Sequence, residues 1–207
     1  MKNPFEYSKE TFENEKKPFK ELARTDSAFD ANFPNRLPSV TAYDFDKIAK
    51  AVCNYRSSKK KPLHSADALL ILSSNPFSGE NTGMPYYCFI EFKNQRVENI
   101  QSLKDPDEND LMMKAFDSLA ICAMTFTREI AMSELQQNSI FIVVFPKQDY
   151  SERFLEALGR LSSVKGKTSA LWNLNKLEDN GFFSKVLTLD DGDFSKFLFS
   201  HTDGEGL

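Results

Sequence analysis

The sequence predicts an α/β protein in which helices bury a central sheet. Helical and strand patterns alternate along the chain: helix, strand, strand, helix, strand, helix, then a strand and a short helix. The strand candidates are nearly continuous apolar runs, as expected of strands covered on both faces. The 207 residues are 41% hydrophobic and include 19 Phe, enough for one core with room for an added arm. The expected division is an N-terminal arm over 1–38, a single α/β domain over 39–200 and a flexible tail over 201–207.

In the arm, Lys9 to Arg24 is highly charged, and Phe5, Phe12 and Phe19 recur every seven residues. That spacing can place three rings on one helical face, but Pro18 argues against a continuous helix. The arm is read as helical or extended and docked by its aromatics, with partial disorder as the alternative. Such rings could cover the arm's own domain or join two copies as a homodimer. Asn32 to Pro38 is a linker by composition. A helix is expected next, capped by Ser39 or Thr41, with Asp44 and Asp46 in its first turn. Phe45, Ile48, Ala49, Val52 and Tyr55 (or Cys53) form its stripe, and it ends near Ser57-Ser58-Lys59.

Ala66 to Leu72 is a short, almost wholly apolar strand with Asp67 near its start. Ser73 to Pro85, with two prolines and two glycines, is a loop. Tyr86 to Gln95 is the central strand, rich in aromatic and β-branched residues. A polar stretch follows, then the longest helical pattern, Asp110 to Leu135, with Leu111, Ala115, Leu119, Cys122, Ala123 and Phe126 on one broad face. Ser139 to Phe145 is another buried strand, and Tyr150 to Leu161 a helix. Phe182 to Leu189 is a strand, Asp190 to Asp193 a turn, and a short helix runs through Phe194, Phe197 and Leu198. Trp172 reads as core of the C-terminal part.

Composition narrows the function classes. No apolar run approaches the roughly 20 residues that span a bilayer, and Met1 to Glu6 lacks a signal-peptide core. The expectation is a cytoplasmic protein without a membrane partner. Cys53, Cys88 and Cys122 are far apart with no CxxC spacing, which argues for buried reduced thiols and against zinc. The net charge of −4 gives no global nucleic-acid signature. The sharpest basic run, Lys59-Lys60-Lys61, is either a solvated helix end or a phosphate contact. No Gly-rich phosphate loop follows any strand.

Two charges interrupt the central strand. Glu91 and Lys93 are two residues apart and so share a face. Burying them is costly unless they pair or bind something, so they form either a salt bridge or a site. Asp67 opens the preceding strand, and helices precede and follow. On Asp67, Glu91 and Lys93 in this order, the chain resembles the PD-(D/E)xK phosphodiesterase superfamily over roughly residues 41 to 146. Ala66 stands where the name of that family has proline. The segments Phe89 to Asn94 and Lys114 to Leu119 also look like a group of uncharacterised bacterial and phage proteins.

The resemblance implies a restriction-endonuclease-like mixed central sheet flanked by helices, with a C-terminal strand–helix extension. It implies a metal-dependent nuclease that hydrolyses phosphodiester bonds of DNA or RNA, with nucleic acid as partner and Mg²⁺ or Mn²⁺ as cofactor. The residue types suit that chemistry. A phosphodiester gathers negative charge on the way to its transition state, and a hard cation that offsets it is held by carboxylate oxygens. Asp67 and Glu91 would be metal ligands, with the Phe92 backbone carbonyl as a third. Lys93 would orient water or stabilise phosphate charge.

Accessory candidates carry a plain structural reading beside the functional one. Gln95 continues the Glu91 face and could meet phosphate or water. Lys114 and Asp117 share a helical face, and Lys114 either touches phosphate or forms an ordinary i,i+3 pair. Asp44 (or Asp46) is either a further site acid or a helix-start charge. His64 is either a ligand or proton carrier, or a strand-edge histidine without a role. Glu80 reaches the site only if its loop folds back. The alternative to the whole reading is a catalytically silent nuclease-like module that binds or assembles.

Overall fold

The apolar runs assemble into a six-stranded sheet whose spatial order follows the chain. Its strands are β1 (Lys16–Pro18), β2 (Thr41–Asp44), β3 (Ala68–Leu72), β4 (Tyr86–Phe92), β5 (Ser139–Phe145) and β6 (Lys185–Asp190). The computed structural model describes residues 9–23, 30–56, 63–79, 83–94, 106–126, 130–149 and 174–202. Strands β1 to β4 pair antiparallel, whereas β4, β5 and β6 run parallel. A parallel neighbour needs a crossover. Between β4 and β5 that crossover holds α4 (Pro106–Thr125) and α5 (Met132–Gln137).

Every residue of β4 and β5 is buried, so both faces of the sheet are covered. Alternation divides the strand side chains between two cores. Tyr87, Phe89, Phe141 and Val143 pack with Phe45, Ile48 and Val52 of α3 (Phe45–Arg56) and with Leu111, Ala115 and Leu119 of α4. Cys88, Ile90, Phe92 and Ile142 pack on the other face. There they meet Phe19 of α1 (Phe19–Leu22), Phe33 of α2 (Phe33–Arg36), and Phe194 and Leu198 of the C-terminal helix. Each such large apolar side chain contributes about 1.5–3 kcal/mol on burial. The phenylalanines interlock edge to face, as in the Phe45–Phe89 and Phe19–Phe92 pairs.

The N-terminal segment is built into these layers. After a 3₁₀ helix (Lys9–Glu15), Lys16–Pro18 pairs with Thr41–Tyr43 at the sheet edge. Phe12 and Phe19 are buried in their own chain, one in each core. Phe5 lies outside the described residues.

Several element limits differ from expectation. The helix expected from Ser39 or Thr41 begins only at Phe45. Residues 41–44 are drawn into the sheet because Tyr43 pairs with both Lys16 and Leu69. Asp44 then caps the helix, its Oδ1 accepting the Lys47 amide at 3.0 Å. The long helix closes at Thr125, whose hydroxyl donates back to the Ile121 carbonyl at 2.8 Å, and α5 is separate. The strand expected from Phe182 starts at Lys185. The amides of Phe182 and Phe183 turn back to the Leu177 carbonyl of α6 (Asn175–Asp179), a helix the sequence did not suggest. No loop separates β6 from α7 (Asp191–Thr202), because Asp190 Oδ1 accepts the Asp193 amide at 2.8 Å.

The expected helix over 150–161, the Lys59–Lys61 run, Glu80, Gln95 and Trp172 lie outside the described residues. Cys88 and Cys122 are buried free thiols. Among the described residues, no helix is long and apolar enough to cross a membrane.

Candidate functional site

The β3–β4 register creates the site. Ala68 pairs with Ile90, so one step further Asp67 stands opposite Glu91. Directly opposed residues of an antiparallel pair share a face, with Cβ atoms about 4.5–5.5 Å apart. The two acids therefore lie side by side on the α3/α4 face, although 24 positions separate them in sequence. Backbone groups fix Asp67 from two sides. Its Oδ2 accepts the Phe92 amide at 2.7 Å, and its carbonyl accepts the Phe45 amide at 3.1 Å.

Two ammonium groups converge on Glu91. Lys114, one helical turn past Leu111 on α4, places Nζ 2.7 Å from Glu91 Oε1. Lys93 Nζ is 3.7 Å from the same oxygen and 3.6 Å from Asp110 Oδ2. The Lys93 amide bonds the Val144 carbonyl at 2.8 Å, so parallel pairing holds the backbone that carries this side chain. Glu91 is 2% exposed, and its Oε2 has no hydrogen-bond partner among the described residues.

The rim is acidic and tied to α3 and α4. His64 donates its amide to Asp117 Oδ2 at 2.9 Å, and its ring Nδ1 lies 3.2 Å from Asp110 Oδ1. Ser65 Oγ donates to Asp46 Oδ1 at 2.5 Å. The Ala66 amide donates to Ser118 Oγ at 2.9 Å. The segment leading into Asp67 is thereby stitched to both helices.

Charge crowding perturbs these groups. Burial first, then the neighbouring Glu91 charge, holds the Asp67 carboxyl well above the usual carboxylate range, against the opposing pull of Lys114 and the Phe92 amide. Asp67 keeps some contact with solvent, but its carboxylate is withdrawn from water far enough for desolvation to lead. Burial also raises the Glu91 carboxyl, opposed by Lys114 and Lys93. Burial works against the Lys114 charge, yet Glu91 and Asp67 outweigh it and hold that ammonium above the ordinary lysine range. Two adjacent carboxylates resist joint ionisation unless a cation or proton lies close to them.

The donor chemistry fits a hard divalent cation in one respect: two neighbouring carboxylates, one with an unpartnered buried oxygen. The side-chain set is small, however. Among the described residues, no group of three or more His, Cys, Asp or Glu is arranged to hold a metal ion. A cation here would rely on Asp67, Glu91 and backbone or solvent oxygens, the Phe92 carbonyl being the backbone candidate.

Asp67, Glu91, Lys93 and Lys114 come together, and His64 reaches the rim through Asp110 and Asp117. Asp44 does not join them. Its carboxylate bonds Lys17 Nζ at 2.5 Å and caps α3, as a helix-start charge does. Asp46 is the acid of this pair that points to the site side, where its charge acts on Asp67. Sequence reasoning did not single out Asp110, although it lies four residues before Lys114 on one helical face. Ser118 gave no signal of its own, since a helical serine beside an apolar stripe is ordinary. No protein-family model, curated protein or solved structure matches the chain.

Proposed function

We propose that the protein is a metal-dependent, nuclease-like phosphodiesterase acting on DNA or RNA, with Asp67, Glu91 and Lys93 at its centre. One observation carries this reading: the β3–β4 register sets two acids side by side, with the Glu91 Oε2 oxygen unpartnered. The order of helix, strand, strand, helix and parallel strand around them also agrees with the resemblance to the PD-(D/E)xK superfamily.

In this reading Asp67, Glu91 and the Phe92 carbonyl would hold Mg²⁺ or Mn²⁺. The bound ion supplies Lewis-acid activation of water and offsets phosphate charge. The chain's own groups do the rest. The Phe92 amide keeps the Asp67 carboxylate turned toward Glu91. Lys93, 15% exposed, presents an ammonium at the mouth of the pair, where it steadies a phosphate oxygen or orients the attacking water. The buried core behind Glu91 keeps the local dielectric low and strengthens each of these interactions.

A second reading has its own support. Glu91 is sealed from solvent and already neutralised by Lys114, as suits a silent binding or assembly module. A nuclease assay over single- and double-stranded DNA and RNA, with Mg²⁺ or Mn²⁺, separates the two. The enzyme reading expects cleavage that needs the metal and is lost in Lys93→Ala. Cleavage unchanged in that variant rejects the proposed role of Lys93, and no cleavage of any substrate favours the silent module.

A further inference from the structure

We infer that Lys114 is an internal counter-cation that occupies the acidic pair and must move away before a divalent ion binds there. The inference rests on Asp67 and Glu91 being a metal pair and describes how access to that pair is regulated. Lys114 Nζ sits on Glu91 Oε1 at 2.7 Å, while the second oxygen of the same carboxylate has no partner among the described residues. The ammonium thus takes one oxygen of the carboxylate and leaves the other buried and unpartnered among the described residues. An ammonium at hydrogen-bond distance and a divalent cation repel each other, so they compete for the same carboxylate.

Lys114 also has somewhere to go. Its side chain is 19% exposed, so it is not wholly enclosed where it meets Glu91. Asp110 lies four residues before it and Asp117 three residues after it on α4, both neighbours on one helical face. Asp110 is 35% exposed and its carboxylate already attracts Lys93 and His64. A change of side-chain rotamer can therefore exchange Glu91 for a rim carboxylate without moving the helix. Metal affinity is then scaled by the fraction of molecules in which Lys114 has left the pair. By linkage, a bound ion drives Lys114 outward as strongly as Lys114 opposes the ion.

Calorimetric titration of Mn²⁺ and Mg²⁺ into the full-length wild type and Lys114→Met tests this. The expected result is binding at least about tenfold tighter in the variant, within the range of ordinary coupling between sites. Equal or weaker binding in Lys114→Met overturns the counter-cation and leaves the metal site standing. Binding to neither protein overturns the metal site, and the counter-cation with it. If Lys114→Met does not fold, lysine acetylation of the wild type, read by mass spectrometry at single-hit levels, decides. Lys114 should be slow to react alone and several-fold faster in saturating Mg²⁺, with exposed Lys196 unchanged. A Lys114 rate unaffected by calorimetrically confirmed Mg²⁺ overturns the inference.

Discussion

The Phe92 amide donates to Asp67 Oδ2 at 2.7 Å, so the backbone of one strand aims the acid that opens the other. An acceptor at position 67 is therefore needed whether or not it is charged. Asp67→Asn keeps an acceptor oxygen and removes a carboxylate whose ionisation burial opposes. Its melting temperature is expected to match or exceed that of the wild type, while divalent-ion binding is lost. Asp67→Ala leaves the Phe92 amide without its partner and should cost about 1–3 kcal/mol in urea unfolding. Equal stability of the alanine and asparagine variants would show that the contact does not hold the site.

The Glu91–Lys114 pair predicts strong non-additivity. Lys114→Met leaves Glu91 buried with, among the described residues, the more distant Lys93 as its cation, and about 3–5 kcal/mol of stability should be lost. Adding Glu91→Gln removes the stranded charge and should restore a large part of that loss. Neighbouring charges of this kind couple by up to about 3 kcal/mol in a double-mutant cycle. Simple additivity of the two substitutions, measured by denaturant midpoints at constant slope, contradicts a direct pair.

Arg36 on α2 forms an ion pair with Asp191, the first residue of α7, which is 2% exposed. Asp191 Oδ1 also accepts the Lys147 amide at 2.9 Å, and Arg36 reaches Asp30 at 2.8 Å. This cluster joins α2 and α7 to the chain leaving β5. Arg36→Ala should cost about 2 kcal/mol, since the Asp191 charge keeps its backbone donor but loses its counterion. Arg36→Lys should recover only part of it, because an ammonium lacks the guanidinium's several directed donors. Thermal unfolding of the three proteins ranks them.

Stability should fall on the alkaline side. Burial pushes the Cys88 thiol up to about 12, from 9.0, and the Tyr87 hydroxyl up to about 12, from 10.0. Both are acids held neutral in the fold. Above pH 9 the unfolded chain releases the Cys88 proton and the native chain does not, so the unfolded state binds fewer protons and stability declines with rising pH. The decline continues toward pH 12, and Cys88→Ala should flatten its first part. Native Cys88 and Cys122 should also react with a thiol reagent at pH 8 only as fast as the chain opens. Rapid labelling under native conditions would contradict their burial.

The sheet was the most legible part of this protein. The continuous apolar runs of β3, β4 and β5 name themselves, because strands buried on both faces have no polar alternation to confuse them. Asp67, Glu91 and Lys93 stood out because charge inside such runs is rare. Register supplied what spacing could not: Asp67 meets Glu91 only because Ala68 pairs with Ile90. Residues 41–44 misled because Ser39 and Thr41 are good cap residues and Asp44 suits a first helical turn, and it took pairing with β1 and β3 to make them a strand. Lys114 was visible as a helical charge, but no pattern revealed that its side chain ends on Glu91. The choice of Asp46 over Asp44 likewise followed from the side of the sheet on which α3 begins.

The first strand has a bearing on solubility under stress. Lys16, Lys17 and Pro18 end the sheet with two positive charges and a residue that has no amide hydrogen to offer. A passing extended chain finds few donors there and two ammonium groups to displace, so edge-to-edge accretion is discouraged. Behind them Thr41–Asp44 is an ordinary strand whose outer edge, among the described residues, is paired by this three-residue cover. Proteolytic loss of everything before Phe19 would uncover that edge and remove Phe12 from beneath it. The clipped protein would then be prone to fibrous self-association, even with its acidic pair untouched.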